Sequence, residues 1–367
     1  MTMHFHHLHF YVRNTERWKQ WFIRKLAFQS ASTGLASVAR GVAVLVQGHV
    51  EIRLSSPAED AAAKAYLEKH PPGLVDVAFA TEHFEAALSH ARAQGAQLLS
   101  PVTLNAAGQR QCLLKGWAHL RHTLVEVSPD WVKSRQARLF EAGDWAVEAS
   151  SQNLSPQVAL SDIDHVVINV PQGELAIAAT WYQKMFGLEP GQQFEINTAH
   201  SGLRSLVLVH PDGPVQLPIN EPSSSNSQIQ EFLDHNGGTG VQHVALRSPD
   251  AVSAIAQFRQ QGLDLLQVPA AYYDSLPQRP DCPLKDLRAI REQQLLIDWP
   301  QGGNQGMLLQ TFTRPIFAEP TFFFEIIERS RYQAHGRLQS TQGFGEGNFQ
   351  ALFEAIERTQ AERGSLQ

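Results

Sequence analysis

A chain of 367 residues, 43% hydrophobic and 18% charged, has room for two domains with complete cores. Its formal charge of −6 disfavours nucleic acid or an anionic membrane as the main partner. Two cysteines far apart in sequence, Cys112 and Cys282, suggest neither a disulfide framework nor a thiolate metal site. No apolar run reaches the length of a membrane span, and the N-terminus lacks the apolar core of a signal peptide, so a cytoplasmic protein is expected.

The first strand is predicted at His7–Val12, with His4 and His6 alternating about Phe5 on one strand face. A helix capped at Asn14/Thr15 follows, carrying Trp18, Trp21, Phe22 and Leu26 at helical spacing. Strands are expected at 41–46 and 50–54, a polar helix over 60–68, a strand at 75–79, a helix over 84–94 and further strands ending near Val127. The second half starts again with a strand over 163–170 and a helix through Ile177, Trp181 and Met185 to Gly187. A helix starts at Gln228 after the polar loop 221–227. Phe349, Leu352, Phe353 and Ile356 form the stripe of a C-terminal helix, with Asn348 as its cap and the glycine-punctuated loop 343–347 before it. That arrangement suits a hinged lid or an ordinary docking helix.

The two halves are copies. Trp21–Phe28 matches Trp181–Leu188, and Gln94–Leu99 matches Gln261–Leu266 at an offset of 262 − 95 = 167 that also carries Val77–Phe79 onto Val244–Leu246. The polar stretch 149–156 is the expected linker, giving an N-terminal domain over 1–150 and a C-terminal domain over 158–367. Repeated strand and helix units of this kind give an α+β fold with mixed or antiparallel sheets.

Three residues of the second half carry possible chemistry. Glu325 lies within the apolar strand-like run 321–327, where an ionised carboxylate must be paired, protonated or bound to a metal. His165 and His243 each lie in an apolar strand of their own, and two imidazoles with one carboxylate suit a divalent metal with open positions. A single strand histidine is more often a hydrogen-bonded core residue. The duplication places His9 over His165 and Asp76 over His243, with Glu126 a looser counterpart of Glu325, so the first half is expected to hold a degenerate site without catalysis. The cluster His4, His6, His7 and His9 reads as a solvated strand face, with adventitious metal binding as the alternative.

The segments Asp164–Val167, Leu217–Pro222, Gly240–Ala245, Leu308–Pro315, Phe324–Arg329 and Gly343–Phe349 together resemble the 4-hydroxyphenylpyruvate dioxygenase family, of the vicinal oxygen chelate superfamily. The resemblance is collinear over about 160–356 and weaker in the first half, where it includes His70–Gly73. It implies tandem βαβββ modules in two open-barrel domains, and iron(II) held by His165, His243 and Glu325. The activity it implies is conversion of an aromatic 2-oxo acid, 4-hydroxyphenylpyruvate, and O2 to homogentisate and CO2, by a homo-oligomeric enzyme of aromatic amino acid metabolism. By motif, Gln228, Gln242 and Gln310 take catalytic positions, with Ser205, Asn220, Phe312, Asn348, Phe349 and Phe353 binding substrate. Arg204, where many members carry Asn, departs from the family beside Ser205. Hydroxymandelate synthase, which oxidises the side-chain carbon of the same substrate, is the near alternative, and a non-catalytic binder of aromatic ligands is the alternative of another class. An extradiol ring-cleaving enzyme would need a further acid/base histidine beside the metal.

Overall fold

The computed structural model describes residues 2–31, 41–141, 159–197, 201–283, 286–300, 306–334, 337–349, 351, 355–358, 360 and 364. The linker expected at 149–156 and the side chains of Leu352 and Phe353 lie outside the described residues.

The first half runs β1 (His4–Tyr11), α1 (Thr15–Leu26), β2 (Gln29–Ser30), β3 (Ala43–Gln47), β4 (Val50–Ser55), α2 (Ala61–Leu67), β5 (Gly73–Thr81), α3 (Phe84–Ala93), β6 (Thr103–Leu104), β7 (Arg110–Lys115) and β8 (Arg121–Glu126). After α4 (Pro129–Glu141) the second half runs β9 (Asp162–Asn169), α5 (Leu175–Phe186), β10 (Glu189–Asn197), β11 (Gly202–Val209), β12 (Gln216–Pro222), α6 (Gln228–Asn236), β13 (Gly240–Arg247) and α7 (Ala251–Gln260). It continues with α8 (Ala270–Ser275), α9 (Arg288–Glu292), β14 (Leu296–Asp298), β15 (Leu308–Phe312) and β16 (Phe323–Arg329), and then a hairpin of β17 (Arg331–Ala334) and β18 (Arg337–Ser340). The cap expected at Asn14 forms, and others join it. Asn14 Oδ1 accepts from Arg17 N–H at the start of α1, and Asp60 and Ser227 cap α2 and α6. Gly187 ends α5 in the left-handed region at φ 65, a conformation that Ala27 adopts at the matching end of α1.

Each half builds one eight-stranded mixed sheet, and the two sheets share one topology: β2-β3-β4-β1-β5-β8-β7-β6 and β10-β11-β12-β9-β13-β16-β15-β14. Each is two βαβββ units joined through an antiparallel central pair, β1 with β5 and β9 with β13. The expected α+β tandem-module architecture is what the chain forms. Its central strands are buried on both faces, which is why they read as almost continuous apolar runs.

The pairing register corrects two of the correspondences drawn from sequence. Phe5 faces Phe79 as Ile163 faces Leu246, and Phe10 faces Leu74 as Ile168 faces Val241. His7, not His9, therefore occupies the place of His165. Likewise Leu124 faces Phe79 as Ile326 faces Leu246, so Thr123, not Glu126, stands in the place of Glu325. The equivalence of Asp76 with His243 holds. Glu126 is at the surface, in ion pairs with Arg110. The His9 error came from matching residue types along a strand, where a shift of two keeps the same face and leaves the apolar pattern unchanged; the Glu126 match, three residues away from Thr123, rested on residue type alone.

β16 connects the sheet to the core shared by both halves. Phe322 packs edge-on against Phe10 at 5.0 Å and Phe324 against Phe22 at 6.0 Å, while the alternate residues Phe323 and Glu325 face the other way, into a cavity. Among the described residues no helix is long and apolar enough to cross a membrane.

Candidate metal centre and its cavity

The concave face of the second sheet encloses a cavity whose wall is built from alternate residues of successive strands. β11 contributes Leu203, Ser205 and Val207, β12 contributes Pro218 and Asn220, and β9 contributes His165 and Val167. β15 contributes Gln310 and Phe312, and β16 contributes Phe323 and Glu325. β13 breaks the alternation. Val241 faces Ile168 and His243 faces Val167, leaving Gln242 as the extra residue of a bulge, so that Gln242 and His243 both reach the cavity. A second bulge in the same strand pair makes Asp164 the extra residue between Ile163 and His165.

One ligand atom from each of His165, His243 and Glu325 lies within 4.8 Å of the other two. Glu325 Oε2 is 3.3 Å from His165 Nε2 and 3.7 Å from His243 Nε2, and its carboxylate is buried. Burial opposes charge on the His165 ring, but Glu325 and Asp164 outweigh it and push its pKa up to about 9. His243 moves the other way, held well below the usual histidine value by burial and by the charge of His165.

The other Glu325 oxygen leads into a chain of amides. Gln310 Nε2 donates to Glu325 Oε1 (3.2 Å), Asn348 Nδ2 donates to Gln310 Oε1 (3.0 Å), and the Tyr272 hydroxyl donates to Asn348 Oδ1 (2.8 Å) while accepting from Ile297 N–H. Tyr272 was not foreseen, and neither was this position for Asn348. Asn348 lies within a 3-10 turn (Glu346–Asn348), 1% exposed and outside the cavity lining, where it fixes Gln310 from behind.

On the far side of His165, Asp164 Oδ1 accepts from its Nδ1 at 2.9 Å. Asp164 is in turn held by Arg329 and Arg247. Burial would raise the Asp164 pKa, but the two guanidiniums hold it well below the usual carboxylate range. Arg329 also donates to the carbonyls of Thr341 and Gly343, which ties the glycine loop to the same centre.

The structure gathers Ser205, Asn220, Gln228, Gln242, Gln310, Phe312 and Phe349 around the cavity with His165, His243 and Glu325. Phe194, Phe323, Phe344 and Ile356 also line it and were not named as site residues from sequence. Phe344 sits in the motif that carried the resemblance, and its ring stands edge-on to His165 at 5.1 Å. The loop can come this close because Gly345 has φ 77 and no Cβ, which would overlap the Gln310 side-chain amide. Arg204 is turned to the opposite side of β11, half-exposed and paired with Glu221 at 2.7 Å, so it leaves the polarity of the cavity unchanged. Among the described residues no third histidine lines the cavity, as an extradiol enzyme would require.

Residues 6–112 and 164–275 match the Glyoxalase/Bleomycin resistance protein/Dioxygenase superfamily. The chain is 33% identical over 381 residues to 4-hydroxyphenylpyruvate dioxygenase from Caenorhabditis briggsae, covering 99% of this chain and 93% of the relative. It is 33% identical over 388 residues to the protein of that name from Danio rerio, covering 99% and 92%. Among solved structures it is similar to a triple mutant of 4-hydroxymandelate synthase from Streptomyces coelicolor, with a TM-score of 0.77 and 25% identity over 98% of this chain and 100% of that one. Near-full-length relationship at this identity, on a sheet that brings two histidines and a glutamate together, makes the chain a member of the 4-hydroxyphenylpyruvate dioxygenase family.

Proposed function

We propose that the protein is an iron(II)-dependent dioxygenase that converts 4-hydroxyphenylpyruvate and O2 to homogentisate and CO2. The observation that carries this reading is the convergence of His165, His243 and Glu325 at the base of an aromatic-walled cavity. The donor set fits a metal of intermediate hardness with open positions. The fit extends outward: His165 Nδ1 is engaged by Asp164, which leaves Nε2 for a metal, and an outer carboxylate of this kind raises ligand basicity. Iron(II) bound there would supply the redox chemistry that couples O2 to oxidation of the 2-oxo acid.

The remaining work falls to the chain's own side chains. Phe312, Phe323, Phe344 and Phe349 offer ring faces and edges to a phenyl group and keep water from the site. Gln228, Gln242, Gln310, Asn220 and Ser205 offer neutral donors and acceptors to the phenol and oxo-acid oxygens without adding charge beside the metal. Gln310 is the best oriented of them, since Glu325 and Asn348 fix both ends of its amide. Phe353, whose side chain is not described, retains the ring-binding role that its motif implies.

Purified protein supplied with iron(II), ascorbate, O2 and 4-hydroxyphenylpyruvate should consume O2 and yield homogentisate. Hydroxymandelate as product would instead assign oxidation of the side-chain carbon, the reading favoured by the similarity to 4-hydroxymandelate synthase. Absence of O2 uptake would overturn both.

A further inference from the structure

The histidines of β1 play no part in the centre just described, and they are not the solvated face that their alternation suggested. His4, His6 and His7 are all buried. Where β1 crosses β5, Phe5 faces Phe79 and Leu8 faces Val77, so His6 and His7 together oppose a single residue, Ala78. The bulge brings the two rings together with Nδ1 to Nδ1 at 2.8 Å. The equivalent positions of the second sheet hold Asp164 and His165, joined through Oδ1 and Nδ1 at 2.9 Å. His6 thus stands where Asp164 steadies a histidine, and His7 stands where that histidine is.

We propose that His6, His7 and Glu51 form a second site for a divalent transition metal in the N-terminal half. One ligand atom of each lies within 4.8 Å of the other two. Two imidazoles and a carboxylate suit zinc, cobalt(II) or iron(II). The dyad is not self-sufficient: His6 and His7 can share one hydrogen between their Nδ1 atoms, yet His7 Nε2 is buried with no partner. A cation would take up lone pairs that the protein leaves unmet. Trp131 of α4 stacks on His6 at 5.7 Å and shields the pair.

Two nearby groups set the strength of the site. Arg53 Nε already holds Glu51 Oε1 at 2.7 Å, so a cation competes with a guanidinium for the carboxylate. Arg135, over the Trp131 ring at 3.9 Å, adds positive charge. The site therefore binds more weakly than the one around Glu325.

Tag-free, full-length protein stripped of metal and titrated with cobalt(II) under equilibrium dialysis tests this. The wild type should bind two equivalents, Glu325→Ala one, and Glu51→Gln one. Arg53→Gln should tighten the weaker equivalent by about fivefold or more, because loss of this part-buried ion pair frees the carboxylate. A single equivalent in the wild type overturns the proposal. So does a second equivalent that survives Glu51→Gln, or one whose affinity is unchanged by Arg53→Gln. The two sites fail separately, because Glu325→Ala removes only the C-terminal equivalent.

Discussion

Arg329 grips Asp164 with two parallel hydrogen bonds, Nε to Oδ2 at 2.8 Å and Nη2 to Oδ1 at 2.7 Å, and both side chains are buried. The pair joins three things that sequence keeps far apart: the ligand strand through His165, the strand that carries Glu325, and the glycine loop through the carbonyls of Thr341 and Gly343. Arg247 completes the cluster from β13.

Breaking that cluster should loosen the metal centre without removing a ligand. Asp164→Asn keeps the shape but leaves two guanidiniums short of a counter-charge, a loss of about 3–5 kcal/mol when a buried pair is broken. Metal affinity should fall about 10–100-fold as His165 loses the partner that orients it. Cobalt(II) titration and thermal melting measure the two effects, and unchanged affinity would mean that Asp164 is structural only.

Removing a ligand should behave differently from removing a look-alike. Glu325→Ala is expected to abolish O2 uptake and C-terminal metal binding. Glu126→Ala, which removes a surface partner of Arg110, should cost less than about 1 kcal/mol and leave turnover intact. Comparable losses in the two variants would contradict the register that puts Thr123 in the place of Glu325.

Gly345→Ala should act through Gln310. An added Cβ there meets the Gln310 amide, and φ 77 strains any L side chain, so the loop must shift at a cost of about 1–3 kcal/mol. The expected result is a lower kcat/KM, by about tenfold or more, with cobalt(II) stoichiometry unchanged. Full activity would show that Asn348 and Phe344 need not hold their positions.

Acid should unfold the protein early, and His122 is one reason. Its ring lies between Val77 O and the Tyr182 hydroxyl at the contact between the two halves, and burial, opposed by the Val77 hydrogen bond, brings its pKa down to about 4. A folded-state pKa below the unfolded value of 6.5 means that the unfolded chain binds the extra proton. Stability from this group is complete above pH 6.5 and is lost as pH falls through 6.5 towards 4, by about 3 kcal/mol in all. His122→Gln should flatten the fall of Tm over that window by about one proton's worth. An unchanged slope would show that His122 is not a source of the acid lability.

Much of the architecture was legible because it is local or repeated. The cap at Asn14, the helix starts near Asp60 and Gln228, the helix end at Gly187, and the duplicated strand and helix units are carried by a few residues each. The three candidate ligands were legible because a carboxylate or imidazole inside an apolar strand is costly unless something holds it. Tertiary structure decided what lies beside them. Register between strands, set by bulges at His6 and His7 and at Asp164, determined that His7, not His9, is the counterpart of His165, and a further bulge at Gln242 is what lets Gln242 and His243, both named from motif, reach one cavity. A two-residue shift preserves the alternation of apolar and polar side chains, so no one-dimensional pattern distinguishes the two pairings. The same holds for the chain from Glu325 through Gln310 and Asn348 to Tyr272: its hydrogen bonds link elements distant in sequence, and only packing brings them within reach.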